Sequence, residues 1–254
     1  MSSITPSKHR SSRRRALAGL TLLASVVVAQ LANAATPPDT ETPTVNEQTL
    51  SAKQQAIAPI GASMAVGDMP RLQQALNQGL DAGLTISESK ELLVQLYAYA
   101  GFPRSLNALS LLMQVLQERE ARGLHDAPGR EPGPVPSGRA LLDLGTDNQT
   151  RLVGAPVSGP LFEFAPAIDQ FLKGHLFGDI FARDNLDWAS RELATVGALA
   201  ALSGVEAQLA SHVKISLNVG LTEQQLRQVA AELEQRGDPQ AAQRVVTALS
   251  TVRR

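Results

Sequence analysis

The feature that most constrains this chain is that it repeats itself. Residues 69–92, MPRLQQALNQGLDAGLTISESKEL, align without a gap on residues 206–229, EAQLASHVKISLNVGLTEQQLRQV, 137 positions further on. Both stretches carry Gly-Leu-Thr at the same place. The spelling is mechanical: Gly83 and Gly220 supply the left-handed position that ends one helix. Thr85 and Thr222 then cap the next, with Glu88 and Gln225 three residues on to complete a capping box. A helix-Gly-Leu-Thr-helix unit found twice argues for duplication. Leu226, Val229, Ala230 and Leu233 recur at i, i+3, i+4 and i+7, one face of an amphipathic helix. Aromatics make up only 4% of the chain, and no alternating Val/Ile/Thr runs occur, so strand signals are nearly absent. The expected fold class is all-α.

Around the repeats the composition shifts. Lys8, Arg10 and Arg13 to Arg15 precede an apolar run of about 13 residues from Ala16 to Val28, and Ala32-Asn33-Ala34 follows. This is the layout of a secretory signal over residues 1–34, cleaved near Ala34/Ala35. The run is short of the roughly 20 residues that span a bilayer. Ser12-Arg13-Arg14 with Leu17 also fits a twin-arginine signal, an ordinary Sec signal being the alternative. An exported product, periplasmic or secreted, is expected, with no membrane association after cleavage. Removing the five basic residues of that segment leaves 18 basic against 24 acidic, net −6, which disfavours nucleic acid as a partner.

Residues 35–48 read as a disordered tether rich in Pro, Thr and acid. Residues 49–122 form the first repeat and 160–254 the second. A linker over 123–159 separates them, with glycines and prolines in quick succession from Gly123 to about Gly145. The chain has no cysteine, which excludes disulfides, thiolate metal sites, a cysteine nucleophile and a lipid anchor on cysteine. No phosphate loop, dinucleotide glycine fingerprint, His-Glu-x-x-His or Gly-x-Ser-x-Gly occurs in the mature chain. No cofactor and no metal site are expected.

The segment FGDIFARDNLDWASRELATVGALAALSGVEAQLASHVKISLNVGLT, residues 177–222, and YAYAGFPRSLNAL, residues 97–109, resemble the carboxymuconolactone decarboxylase family, whose fold is shared with alkyl hydroperoxidase D-like proteins. The similarity covers about residues 50–118 and 160–235. It implies two alkyl hydroperoxidase D-like helical repeats and a homo-oligomer such as a trimer, with helices of repeats or neighbouring subunits enclosing a pocket. Members include a lyase, thiol-dependent peroxide-reducing enzymes and proteins without assigned chemistry, so the fold narrows function only partly. In the thiol branch a Cys-x-x-Cys pair opens the helix that ends in a histidine. Here that helix starts Val205-Glu206-Ala207-Gln208, so thiol peroxidase chemistry is excluded whatever peroxiredoxin label the family carries.

In that branch a glutamate on the preceding helix completes a proton relay with the histidine, and what the resemblance leaves of it here is Glu192 and His212. A histidine oriented by a carboxylate suits proton transfer beside a developing enolate, with His212 as general acid/base and Glu192 as its partner. The alternative is structural: Glu192 near a helix start favours the dipole, and His212 is a helix-interface histidine. The first repeat lacks both groups, with Ala75 opposite His212 and Gln55 or Ala56 opposite Glu192. Candidate substrate-binding residues are His175, Tyr97, Tyr99, Arg104 and Arg191. Either arginine would grip a carboxylate and the aromatics would line the pocket. Helix-end, surface or core roles are the alternatives for each. His125 lies in the linker and His9 in the signal.

Two functions compete. One is a carboxymuconolactone decarboxylase-like enzyme that works without a cofactor, by acid/base chemistry, on a small lactone or keto acid. The other is a non-catalytic helical oligomer that binds a small molecule in the periplasm. The first requires Glu192 and His212 within hydrogen-bond reach in a pocket. The second is favoured by a His212 buried against a backbone carbonyl with Glu192 in solvent.

Overall fold

Two glycines set the centre of the molecule. In the computed structural model, which describes residues 48–252, helix α1 (Ala52–Val66) crosses helix α9 (Trp188–Ala201). A Cβ on Gly61 would fall 2.3 Å from the Ala194 carbonyl oxygen, and one on Gly197 would fall 2.2 Å from that of Ala58. No real Cβ approaches so closely, so the glycines let the two backbones touch. Both helices are buried along most of their length, as hydrophobicity all round a helix requires. The expected signal and the tether up to Glu47 lie outside the described residues.

Each crossing helix begins a four-helix set. The first continues with α2 (Met69–Asp81), α3 (Ile86–Gln95), a single turn α4 (Tyr97–Ala100) and α5 (Phe102–Ala121). The second continues with α10 (Glu206–Asn218), α11 (Glu223–Gln235) and α12 (Pro239–Val252). The starts of α2, α3 and α5 and of α10, α11 and α12 are each 137 residues apart, the register of the sequence repeat. Gly83 at φ 95° and Gly220 at φ 99° stand in the left-handed region that glycine tolerates. Thr85 and Thr222 make reciprocal capping boxes with Glu88 and Gln225. One apolar core joins the sets, Ile57, Leu72, Leu92 and Leu96 meeting Leu193, Val213, Leu226 and Val245. Burial of each large side chain contributes about 1.5–3 kcal/mol. Among the described residues there is no strand.

The α3 cap also joins helices. Glu88 Oε2 accepts from the Thr85 amide at 2.9 Å, while Oε1 lies 2.6 Å from Lys53 Nζ on α1. Desolvation pushes the Glu88 carboxyl up, but Lys53 and the Thr85 donors outweigh it and hold it below its ordinary 4.5. A carboxylate with a depressed folded pKa contributes stability that is present above 4.5 and lost as pH falls through the folded value. Glu88→Gln is therefore expected to melt below the parent at about pH 6, and the gap to close under acid conditions. A constant gap across a pH series of thermal melts would refute this.

The stretch between the sets is less of a linker than its glycines and prolines suggest. From Leu124 to Ser137 it is irregular, yet it is tied down. The carbonyls of Ala127 and Pro128 accept the amides of Ile86 and Ser87 at 2.9 Å, serving the first turn of α3. Helix α6 (Gly138–Val153) then occupies much of the expected linker. Gly145 does not break it. A Cβ there would lie 1.8 Å from the Lys173 carbonyl oxygen, so this glycine admits the backbone of the next segment. That segment is a π-helix, Leu172–Ile180, reached through two short helices, α7 (Pro160–Phe164) and α8 (Pro166–Phe171). A second small core of Leu152, Leu176, Phe177, Ile180, Phe181 and Ile215 seats α6 and the π-helix on α10, with Tyr97 and Tyr99 beside it.

Candidate active site

Asp187 caps α9, its Oδ1 accepting the Ser190 amide at 2.8 Å. The second turn of the helix then carries Glu192 inward. The middle of α10 carries His212 towards it, and His212 Nδ1 lies 2.7 Å from Glu192 Oε2. Glu192 is wholly buried and the His212 side chain is 11% exposed, so the pair is shielded yet reachable from the imidazole side. With Nδ1 held by the carboxylate, Nε2 is the nitrogen left to exchange a proton.

A third group comes from the other repeat. The Tyr99 ring, on the α4 turn, meets the His212 ring edge-on, with centroids 5.3 Å apart and planes at 81°. Its hydroxyl is out of solvent beside the Thr195 hydroxyl, while Glu192 Oε1 is buried without a hydrogen-bond partner. Burial pushes the Tyr99 hydroxyl far up from its ordinary 10, and the nearby Glu192 charge adds to this. Tyr99 therefore stays protonated. Glu192 Oε1 is thus a buried acceptor beside the imidazole with no donor among the described residues.

The other expected residues are distributed differently. Tyr97 stacks on Phe102, centroids 4.2 Å apart, and lies 5.7 Å from the His175 ring. His175 Nδ1 is 2.6 Å from Asp179 Oδ2, both half exposed, one turn apart on the π-helix. Of this outer group, His175 and Asp179 line a cleft of about 450 Å³ against α6. Arg104 is half buried on α5 and makes no ion pair among the described residues. Arg191 does grip a carboxylate, but the protein's own: its Nη2 lies 2.8 Å from Glu91 Oε1, and the side chain is wholly buried. It is therefore not available to a substrate.

Around Arg191 lies a polar cluster that sequence reasoning missed. Glu91 also takes Arg183 Nε at 2.9 Å and Asn185 Nδ2 at 3.2 Å. Gln95 Oε1 accepts from Arg191 Nη1, and Gln95 Nε2 donates to the Arg191 carbonyl and to Thr195 Oγ1. The cluster fixes the rotation of α9, whose next residue is Glu192. Its sequence signal was available: Glu91 and Gln95 sit among Leu92, Leu93 and Leu96, where an amphipathic α3 should present only apolar side chains. Among the described residues no cluster of three or more His, Asp or Glu side chains is arranged to hold a metal ion.

Two four-helix repeats fused through a common core, with an imidazole-carboxylate pair in the second, define a tandem all-α protein of the alkyl hydroperoxidase D-like class. The model of the carboxymuconolactone decarboxylase family matches residues 34–114 and 166–250, more than half of the sequence and one match for each repeat, and the chain belongs to this family. Helices α6 and α7 fall between the matches. No curated protein matches the chain.

Proposed function

We propose that the protein is a cofactor-independent acid/base enzyme that decarboxylates, or carries out a related proton transfer on, a small lactone or keto acid. The observation that carries this reading is the Glu192–His212 pair, 2.7 Å apart and shielded, with the Tyr99 ring edge-on to the imidazole. A carboxylate β to a carbonyl loses CO₂ and leaves its electron pair as an enolate. Tyr99 donates a hydrogen bond to the enolate oxygen, and the His212 imidazolium delivers a proton to the carbon. Glu192 holds the ring and offsets its charge, and His212 regains its proton from water. One carboxylate and one proton thus give CO₂ and the C–H product.

The test is turnover of a panel of carboxylated lactones and β-keto acids by the purified protein, read as CO₂ release and loss of ultraviolet absorbance. Activity on a member of the panel supports the reading. Inactivity throughout, with the melting temperature unmoved by every compound, favours the non-catalytic binding alternative.

The basic residues, apolar run and Ala32-Asn33-Ala34 of the N-terminal segment support an exported protein. Protein recovered from the exported fraction is expected to begin at Ala35, which N-terminal sequencing checks; an intact Met1 would exclude cleavage. The working unit is a homo-oligomer. Phe102, Leu106 and Met113 on one face of α5 are each more than half exposed, and apolar surface of this kind is what subunit contacts cover. Leu106→Arg is expected to lower the mass seen by light scattering. A parent protein that is already a monomer at micromolar concentration would remove the claim.

A further inference from the structure

A cavity of about 500 Å³ opens at a different place from the His212 pair, between α1, α2 and the turn joining α11 to α12. The duplication says what it is. Moving back 137 residues takes His212 to Ala75, and moving forward by the same step takes Tyr99 to Arg236; both Ala75 and Arg236 line the cavity. It is the first repeat's counterpart of the Glu192–His212–Tyr99 site, and the exchange between repeats is preserved. Tyr99 of the first repeat completes the second site, and Arg236 of the second completes the first.

Three replacements change its chemistry. Alanine in place of the imidazole removes the acid/base group and leaves room. Gln55, opposite Glu192, turns to donate to the Leu50 carbonyl at 2.7 Å. Arginine in place of the tyrosine brings a permanent cation. Arg236 reaches Gln78 and, at 3.4 Å, Glu232, while its Nε is out of solvent with no partner. Arg71 stands on the same wall, paired at 3.1 Å with Asp68. The acid in the lining, Asp238, is committed to the start of α12, its Oδ1 accepting the Ala241 amide at 3.0 Å. Pro59, Ala62 and Leu233 supply an apolar floor.

We propose that this cavity is a second, non-catalytic binding site for a small organic monocarboxylate with an apolar body. The carboxylate pairs with the part of the Arg236 guanidinium that lines the cavity, and the body covers the apolar floor.

Benzoate, with neutral benzamide as its isostere, tests the proposal by calorimetric titration of the full-length protein. Saturable 1:1 binding of benzoate is expected, with Kd raised about tenfold or more by Arg236→Gln, raised also by Ala75→Leu, which fills the space, and unchanged by His212→Gln. Arg236 is partly exposed, so its glutamine variant keeps the fold if Ala75→Leu does not. Three results would overturn the proposal: no saturable binding, benzamide binding as tightly as benzoate, or a Kd untouched by Arg236→Gln. Loss of binding on His212→Gln would place benzoate in the second repeat's site and overturn it equally. None of these readouts depends on turnover, so the proposal and the enzymatic reading fail separately.

Discussion

His212→Gln is expected to lower turnover of the responsive substrate by about 10²–10⁴-fold, the contribution of a positioned general acid/base. Glutamine is the informative replacement because it removes the imidazole and keeps a polar side chain of similar reach. The proton chemistry is lost while the packing is kept. Glu192→Gln removes the partner and leaves the ring, and so should cost less. Tyr99→Phe removes the donor to the enolate and leaves the edge-on ring contact with His212. Thermal melts of the three variants close to the parent's would show that the fold survives. Full activity in a folded His212→Gln protein would move the chemistry elsewhere.

The second large effect is on stability. Glu91→Gln is expected to reduce the unfolding free energy by about 3–5 kcal/mol, because it leaves buried charge uncompensated. The two arginines that meet at Glu91, Arg183 and Arg191, would then share a site without its carboxylate. Arg191→Met should cost less, since Arg183 still answers Glu91. Burial already pushes the Arg191 guanidinium down from its ordinary pKa, against the pull of Glu91. Replacing Glu91 and Arg191 together by apolar residues should recover part of the loss. Urea unfolding of the two single variants and the double variant checks the order. A Glu91→Gln protein as stable as its parent would mean that this cluster does not hold the repeats together.

How much of this was legible in the sequence depended on the range of the interaction. The Gly83 and Gly220 turns and the capping boxes of Thr85 and Thr222 are local, and the spelling suffices for them. The approach of His212 to Glu192 was legible through the family resemblance, which supplies the tertiary contact that spacing lacks. Helix α6 was obscured because Gly145 has two physical uses, breaking a helix or admitting a neighbouring backbone, and only the position of Lys173 decides between them. The Glu91–Arg191 pair spans 100 residues, and a charged side chain on a helix faces solvent unless a distant partner meets it. Tyr97 and Tyr99 read alike as neighbours in sequence. The α4 turn sends one to Phe102 and the other to His212.

The backbone contact of α1 with α9 has an evolutionary consequence. When identical chains pair about a symmetry axis, each mutation is written into both sites at once, and loss of the histidine from one is loss from both. Here the pairing is sealed inside a single polypeptide, so the gene holds two independent drafts of the same cleft. Ala75 and His212 show how far the two have diverged: the copies are joined by Gly61 and Gly197, and an imidazole stands in one where the other has a methyl group.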